Sequence, residues 1–240
     1  MPVRNFRPEA ALGLCCALGA CGGGGGSTAN PVTYPFVIPA VGSQRLYTRT
    51  TVDNSNNSIV QSLQHTVTAV NPGGNFVYTS EDPNHETVVV DGTNYSIPTE
   101  SVTANGSGQD LSYTIDEASG SEESCTEDPH GAGPDYPVSV GMSWTLAFTV
   151  ACGGAAGIAY DQSGTVVDLE TVTVPAGTFT ALKLQSTIVW TDSLGGTRTE
   201  SITNWRDASS GLSIKQVIAY TWSGPTPAGG YAVSETLVLE

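Results

Sequence analysis

Basic residues are scarce in this chain. Only 8 lysines and arginines stand against 23 aspartates and glutamates in 240 residues, which gives a formal net charge of -15. Nucleic-acid binding needs a basic surface that neutralises phosphates, so this composition argues against nucleic acid as a partner. Long hydrophobic runs are also lacking, because no stretch reaches the roughly 18 to 20 apolar residues of a membrane-spanning helix. Glycine and proline, at 28 and 14 residues, are too frequent for a helical bundle or a coiled coil.

The first 20 residues have the pattern of a signal peptide. Arg4 and Arg7 form a short basic start, and the apolar stretch AALGLCCALGA begins at Ala10. This stretch ends in Leu-Gly-Ala-Cys at residues 18–21, which resembles the lipobox of bacterial lipoproteins. The resemblance implies cleavage before Cys21 and a lipid on its thiol, through which the protein would bind the membrane. A plain secretory signal is the alternative.

Five glycines follow Cys21 directly. Such a run has no side chains to pack, so we predict a tether over residues 21–31 and a single β domain over residues 32–240. A weaker alternative boundary in the polar stretch 118–137 would divide that domain into two β halves. The lipoprotein resemblance also implies a location. Gly22, in place of the Asp that retains many lipoproteins in the inner membrane, favours the outer membrane of a Gram-negative cell envelope.

Apolar side chains alternate with period two along the domain, which is the signal for β-strands. The pattern is clearest in three predicted central strands, at 144–150, 182–190 and 212–222. Weaker strands are predicted at 45–52, 75–79, 86–90, 94–97, 111–115, 157–160, 165–174, 197–205 and 231–239. The segment 58–70 is ambiguous, and its Val and Thr content favours a strand over a helix. We therefore predict an all-β fold, an antiparallel sandwich or an open or half barrel of about a dozen strands.

The cysteines divide into two groups. Two of the five leave with the predicted leader and Cys21 would be acylated, which leaves Cys125 and Cys152 in an oxidising compartment. We predict a disulfide between them, which would stabilise the fold by roughly 3.5 kcal/mol in the loop-entropy model. A metal site formed by these two cysteines, His130 and nearby carboxylates is the alternative. It is disfavoured because neither cysteine lies in a short chelating spacing.

Three segments carry a family resemblance: DYPVSVGMSWTLAFTV from Asp135, ETVTVPAGTFTALKLQ from Glu170 and TNWRDASSGLSIKQV from Thr203. They resemble secreted or lipid-anchored proteobacterial β proteins of unknown function, over roughly the last 105 residues. The VPAGTF segment is the most specific of them, and it indicates structure: Pro175 ends a strand and Gly177 supplies a turn position with positive φ.

Acidic residues are concentrated between Asp116 and Asp135, where seven carboxylates occur without a basic residue. Calcium prefers oxygen ligands, so a weak Ca²⁺ site is one interpretation of this segment. A solvated acidic loop is the favoured interpretation, because the ligand spacing of an EF-hand is absent.

Catalytic motifs are lacking. His65, His85 and His130 lie in three different segments, and neither HExxH nor GxSxG occurs. We predict no cofactor, and the leading hypothesis is a non-catalytic binding or structural β domain of a cell-envelope lipoprotein.

Two further functions stay open. One is a carrier of an apolar ligand, a lipid or a lipoprotein, in a half-barrel cavity lined by residues such as Leu212, Ile214, Ile218 and Tyr220. The other is a hydrolase whose site the sequence does not reveal.

Overall fold

The structure is a computed structural model that describes residues 31–90, 93–116, 122–191, 195–224 and 231–240. The predicted leader and Cys21 lie outside these residues. Within them, no helix has the length and apolar character needed to cross a membrane. The described chain is built from β-strands, so the all-β prediction is confirmed.

The strands follow one another closely along the chain. In chain order they are β1 (Gln44–Asp53), β2 (Ser58–Val70), β3 (Phe76–Glu81), β4 (Val88–Val90), β5 (Thr93–Tyr95), β6 (Thr99–Ala104), β7 (Asp110–Asp116), β8 (Glu122–Asp128), β9 (Ser143–Cys152), β10 (Ile158–Val174), β11 (Gly177–Thr191), β12 (Thr197–Asp207), β13 (Ser213–Ser223) and β14 (Ala232–Leu239).

Twelve of these strands form one closed antiparallel barrel, in the order β1-β14-β13-β12-β11-β10-β9-β8-β7-β6-β3-β2. The remaining two, β4 and β5, pair with each other in a separate hairpin between β3 and β6. The sheet therefore closes fully into a barrel, whereas the sequence suggested a sandwich or an open or half barrel. Closure pairs every strand of the barrel on both sides and leaves it no exposed edge.

The barrel closes between its first and last strands. Seven residue pairs join β1 to β14, from Tyr47 opposite Leu239 to Asp53 opposite Ala232. Arg49 reinforces this seam from inside, because its Nε and Nη2 both donate to Oε2 of Glu235 on β14, at 2.8 and 2.5 Å. Local periodicity could not reveal this pairing, since the two strands lie at opposite ends of the domain.

Two strands were not predicted, β6 and β8. Their inward positions carry polar or small side chains, such as Glu100 on β6 and Cys125 and Glu127 on β8, all three of which are buried. Without large apolar residues at those positions, the period-two signal is weak. The stretch predicted to be an acidic loop therefore contains a barrel strand, Glu122–Asp128.

Two ends of the barrel differ. Residues 31–43, which we call the strap, cross the end of the barrel at which β1 begins. We call this the strap end. Backbone hydrogen bonds fix the strap there, from Tyr34 N to Val138 O at 2.7 Å and from Val37 N to Ser210 O at 2.8 Å. Near the far end, the interior is filled by a packed cluster that includes Phe148, Tyr160 and Trp190. Large rings suit this position because a twelve-stranded barrel is wider than the eight-stranded barrels that ordinary side chains can fill.

Candidate functional site: the barrel interior

A cavity of about 360 Å³ extends from the strap towards the middle of the barrel. Three of the four residues that the sequence offered as a ligand-facing set, Leu212, Ile218 and Tyr220, line it. The fourth, Ile214, is fully buried in a packed cluster with Tyr47 and Leu239 and does not line the cavity. The interior is thus packed at one level and open at another, a distinction that strand periodicity alone cannot make.

One wall of the cavity is apolar and largely aromatic. Phe36 reaches it from the strap, with its ring centroid 6.0 Å from that of Phe76 on β3. Val67, Tyr78 and Leu212 continue this wall. Phe36 also contacts Gly108, where an added Cβ would lie 2.3 Å from the ring, so a side chain at position 108 would displace the phenyl group. The strap thereby supplies part of the apolar lining.

Two arginines line the same cavity at the strap end, Arg45 and Arg206. Arg45 donates from Nε to the Tyr47 hydroxyl at 3.1 Å and from Nη2 to the Ser213 carbonyl at 2.9 Å. Arg206 is the cross-strand partner of Ser213, and its Nη1 makes one long hydrogen bond, 3.5 Å, to the Tyr136 hydroxyl. Burial raises the pKa of Tyr47, while the charges of Arg45 and Arg206 act in the opposite direction. Both guanidinium groups therefore influence the same hydroxyl.

A second cluster of ionisable side chains lies deeper in the barrel, around the Arg49–Glu235 ion pair. Glu200 is fully buried nearby, directly opposite Tyr220 on β13. Burial, and then the charge of Glu235, raise the pKa of Glu200 well above its usual value. Burial likewise raises the pKa of Tyr220, with added contributions from Glu235 and Glu200. The arrangement therefore disfavours ionisation of the Glu200 carboxyl.

Strand alternation explains how these polar side chains reach the interior. On β12, every second residue from Arg198 to Arg206 points inward with the buried Ile202. On β1, Arg45 and Arg49 share the inward face with the buried Tyr47. The sequence analysis did not identify these arginines as site residues. The sequence signal that could have identified them is a charged residue two positions away from an apolar residue of the same strand, because such residues lie on the same face.

The three histidines lie in different places. His65 lines the cavity, where its ring centroid lies 5.1 Å from that of Tyr47 and 5.2 Å from that of Tyr78. His85 is exposed in a turn with positive φ. His130 Nδ1 lies 2.9 Å from the Gly131 carbonyl. The structure therefore brings only His65 to the cavity.

Cys125 and Cys152 are direct cross-strand partners on β8 and β9, and their sulfur atoms are bonded to each other. Tyr113 on the neighbouring strand β7 lies opposite Cys125, with its hydroxyl 3.9 Å from Cys152 Sγ. The described residues contain no group of three or more His, Cys, Asp or Glu side chains arranged to hold a metal ion.

The acidic segment is divided among different environments. Glu122 and Asp128 are exposed at the two ends of β8, whereas Glu127 points inward and lines the cavity. Asp135 is exposed in the loop before β9. Residues 117–121 lie outside the described part of the chain, so the Ca²⁺ interpretation stays a prediction.

Comparison with protein-family models and with curated proteins gives no match. Among solved structures, the chain is similar to the hypothetical lipoprotein YmcC of Escherichia coli K12, with 11% identity over 85% of this chain and 89% of that one and a TM-score of 0.42. It is also similar to a protein of Parabacteroides distasonis ATCC 8503 described provisionally as a lipoprotein, with 15% identity, coverage of 88% and 100%, and a TM-score of 0.43.

Proposed function

We propose that this chain is a lipid-anchored protein of the cell envelope, held at the outer membrane of a Gram-negative bacterium by a lipid on Cys21. Its β-barrel is a non-catalytic binding domain for an amphipathic small molecule. The observation that carries the proposal is the cavity of about 360 Å³ inside the barrel, a size within the usual range for small-molecule sites.

The lining of the cavity favours one of the functions that the sequence left open. A purely structural barrel would fill its interior with side chains, and a carrier for a ligand without a polar part needs no charged group in its cavity. Here an aromatic wall that includes Phe36 and Phe76 faces the same space as Arg45, Asn204 and Arg206. A ligand with one apolar and one polar part fits this combination. For the hydrolase alternative, no specific arrangement among the described residues argues in its favour.

The position of the strap supports access from a membrane. The proposed tether runs from Cys21 to residue 31, and ten residues span at most about 35 Å when fully extended. The strap follows at once and crosses the end of the barrel where the cavity lies. An acylated Cys21 would therefore hold that end close to the lipid surface.

Binding can be tested with the full chain carrying Cys21→Ser, which lacks the thiol that would be acylated. The neutral dye N-phenyl-1-naphthylamine, which fluoresces in apolar surroundings, is the probe. Ser80 is buried on β3 and lines the cavity, so Ser80→Phe fills part of the space. We expect this variant to bind the dye at least about tenfold more weakly, since overpacking a formed cavity removes the space for the ligand.

The matched control is Thr79→Phe, one residue earlier on β3 and therefore on the outer face. It should leave dye affinity unchanged. Circular dichroism and thermal melting establish that both variants fold. Equal dye affinity in the three chains would exclude the interior as the site at which the dye binds. Native mass spectrometry of protein purified from its own membranes gives a second measurement, in which a bound small molecule is expected.

A further inference from the structure

We propose that the ligand of the barrel carries an anionic head group, a carboxylate or a phosphate, which Arg45 and Arg206 bind at the strap end of the cavity. This inference rests on the proposed function, because it specifies the chemistry of the polar part of the ligand.

The hydrogen bonds of Arg206 leave most of its donors unused. A guanidinium has five N–H donors and binds carboxylates and phosphates through two parallel bonds. Within the described residues, Arg206 makes only the long contact with Tyr136, and its buried Nε has no hydrogen-bond partner. A buried donor without an acceptor is costly, so an acceptor supplied by a ligand would stabilise the site.

Arg45 is positioned more firmly but also retains free donors. Its two hydrogen bonds go to neutral oxygens, the Tyr47 hydroxyl and the Ser213 carbonyl. Asp207 lies close enough for the charge of Arg45 to affect it, yet Asp207 Oδ2 already accepts hydrogen bonds from Ser209 and Ser210, at 2.7 and 2.6 Å. Arg45 is thus fixed in direction while its charge remains available.

Neither arginine forms an ion pair with a carboxylate in the described part of the chain. Arg49, deeper in the same cavity, differs because Glu235 neutralises it. The chain has 23 acidic residues and only 8 basic ones, so unpaired guanidinium groups inside the barrel are not explained by a shortage of carboxylates. Both side chains are half-buried and line the cavity, so a ligand anion there would supply the counterion that the described residues do not.

The apolar wall defines the rest of the ligand. Phe36 and Leu212 line the cavity together with the two arginines, and Phe36 packs against Tyr136, whose hydroxyl Arg206 contacts, with ring centroids 5.7 Å apart. An alkyl or acyl chain against these groups, with its head group at the arginines, satisfies both surfaces. A fatty acid and a lipid phosphate share this chemistry.

The test compares dodecanoate, dodecyl phosphate and dodecanol as competitors of the neutral dye, with direct calorimetry of dodecanoate, on the full chain carrying Cys21→Ser. These three ligands have the same tail and differ in the head group. We expect the better anion to bind at least about tenfold more tightly than dodecanol, as charge-assisted hydrogen bonds predict. The ranking of dodecanoate against dodecyl phosphate then separates a free fatty acid from a lipid phosphate as the natural source.

The decisive variant is Arg206→Met, which keeps the length of the side chain and removes its charge. It should reduce anion affinity about tenfold and leave dodecanol affinity unchanged. The matched control is Lys215→Met, which makes the same change in net charge outside the cavity. The Lys215 ammonium lies 5.1 Å from the centroid of the Trp205 ring, and neither residue lines the cavity.

The two proposals fail in different ways. If the dye binds and all three competitors are equal, or if Arg206→Met and Lys215→Met weaken dodecanoate equally, the anion site is wrong while the binding barrel stands. If neither the dye nor dodecanoate binds, both proposals are wrong. Anion binding that is lost only in Arg206→Met supports both.

Discussion

The folded protein favours the protonated form of the buried Glu200 carboxyl. We therefore expect the free energy of unfolding to fall as pH rises above the pKa of this group in the unfolded chain. This side chain has no exposed surface, and neither carboxylate oxygen has a hydrogen-bond partner among the described residues. Burial, with a further contribution from Glu235, raises its pKa well above the usual value. In the unfolded chain the same carboxyl ionises near pH 4.3. Above that pH the unfolded state releases a proton that the folded state keeps.

The sign of the effect follows from proton binding. Below about pH 4.3 the group is protonated in both states, so it contributes no pH dependence. Above that value the folded state binds one more proton, and the free energy of unfolding falls by about 1.4 kcal/mol per pH unit until Glu200 ionises in the folded protein. Glu200→Gln is nearly isosteric and neutral at every pH, so it removes this loss. The variant should match the parent chain at pH 4 and exceed it by a margin that grows as pH rises, at up to about 1.4 kcal/mol per pH unit.

The assay is urea unfolding of the disulfide-bonded protein at constant ionic strength between pH 4 and 6.5. Glu122→Gln, which makes the same charge change at an exposed position on β8, is the control. It should show no pH-dependent gain of this size. A difference between Glu200→Gln and the parent chain that does not change with pH, or a variant that is less stable at pH 6, would refute a protonated Glu200.

Three further predictions concern the anchor, the disulfide and the seam of the barrel. Mass spectrometry of the protein from its own membranes should find a diacylated or triacylated fragment that begins at Cys21, and a soluble mature form with another N-terminus would contradict this. Denatured, unreduced protein should show no reactive thiol at Cys125 or Cys152, and reduction should cost roughly 3.5 kcal/mol by the loop-entropy model. Two free thiols would exclude the bridge. Arg49→Met should destabilise the fold by about 3 to 5 kcal/mol in urea unfolding, because Glu235 is left as an unpaired buried charge. The added substitution Glu235→Leu should recover most of that loss, and failure to do so would argue that Arg49 acts through packing.

Local pattern was sufficient for most of the strands. Period-two alternation identified the long central strands β9, β11 and β13, and the segment 58–70 is the strand that its Val and Thr content favoured. These features depend on neighbours in sequence, so a single chain reveals them. The signal was lost in β6 and β8, where the inward positions include Glu100 and Glu127.

Composition and short motifs supplied the other predictions from the sequence. These are an acidic all-β domain, a cysteine in a lipobox-like motif, and two remaining cysteines that can pair. Closure of the barrel was decided only by the tertiary structure, because it joins β1 to β14 across most of the domain. The same is true of the site. Arg45 and Arg206 lie far apart in sequence and become neighbours only through Ser213. Whether a side chain near the start of β13 is enclosed in a packed cluster, as Ile214 is, or lines the cavity, as Leu212 does, depends on the width of the closed barrel at that level. No local pattern encodes that width.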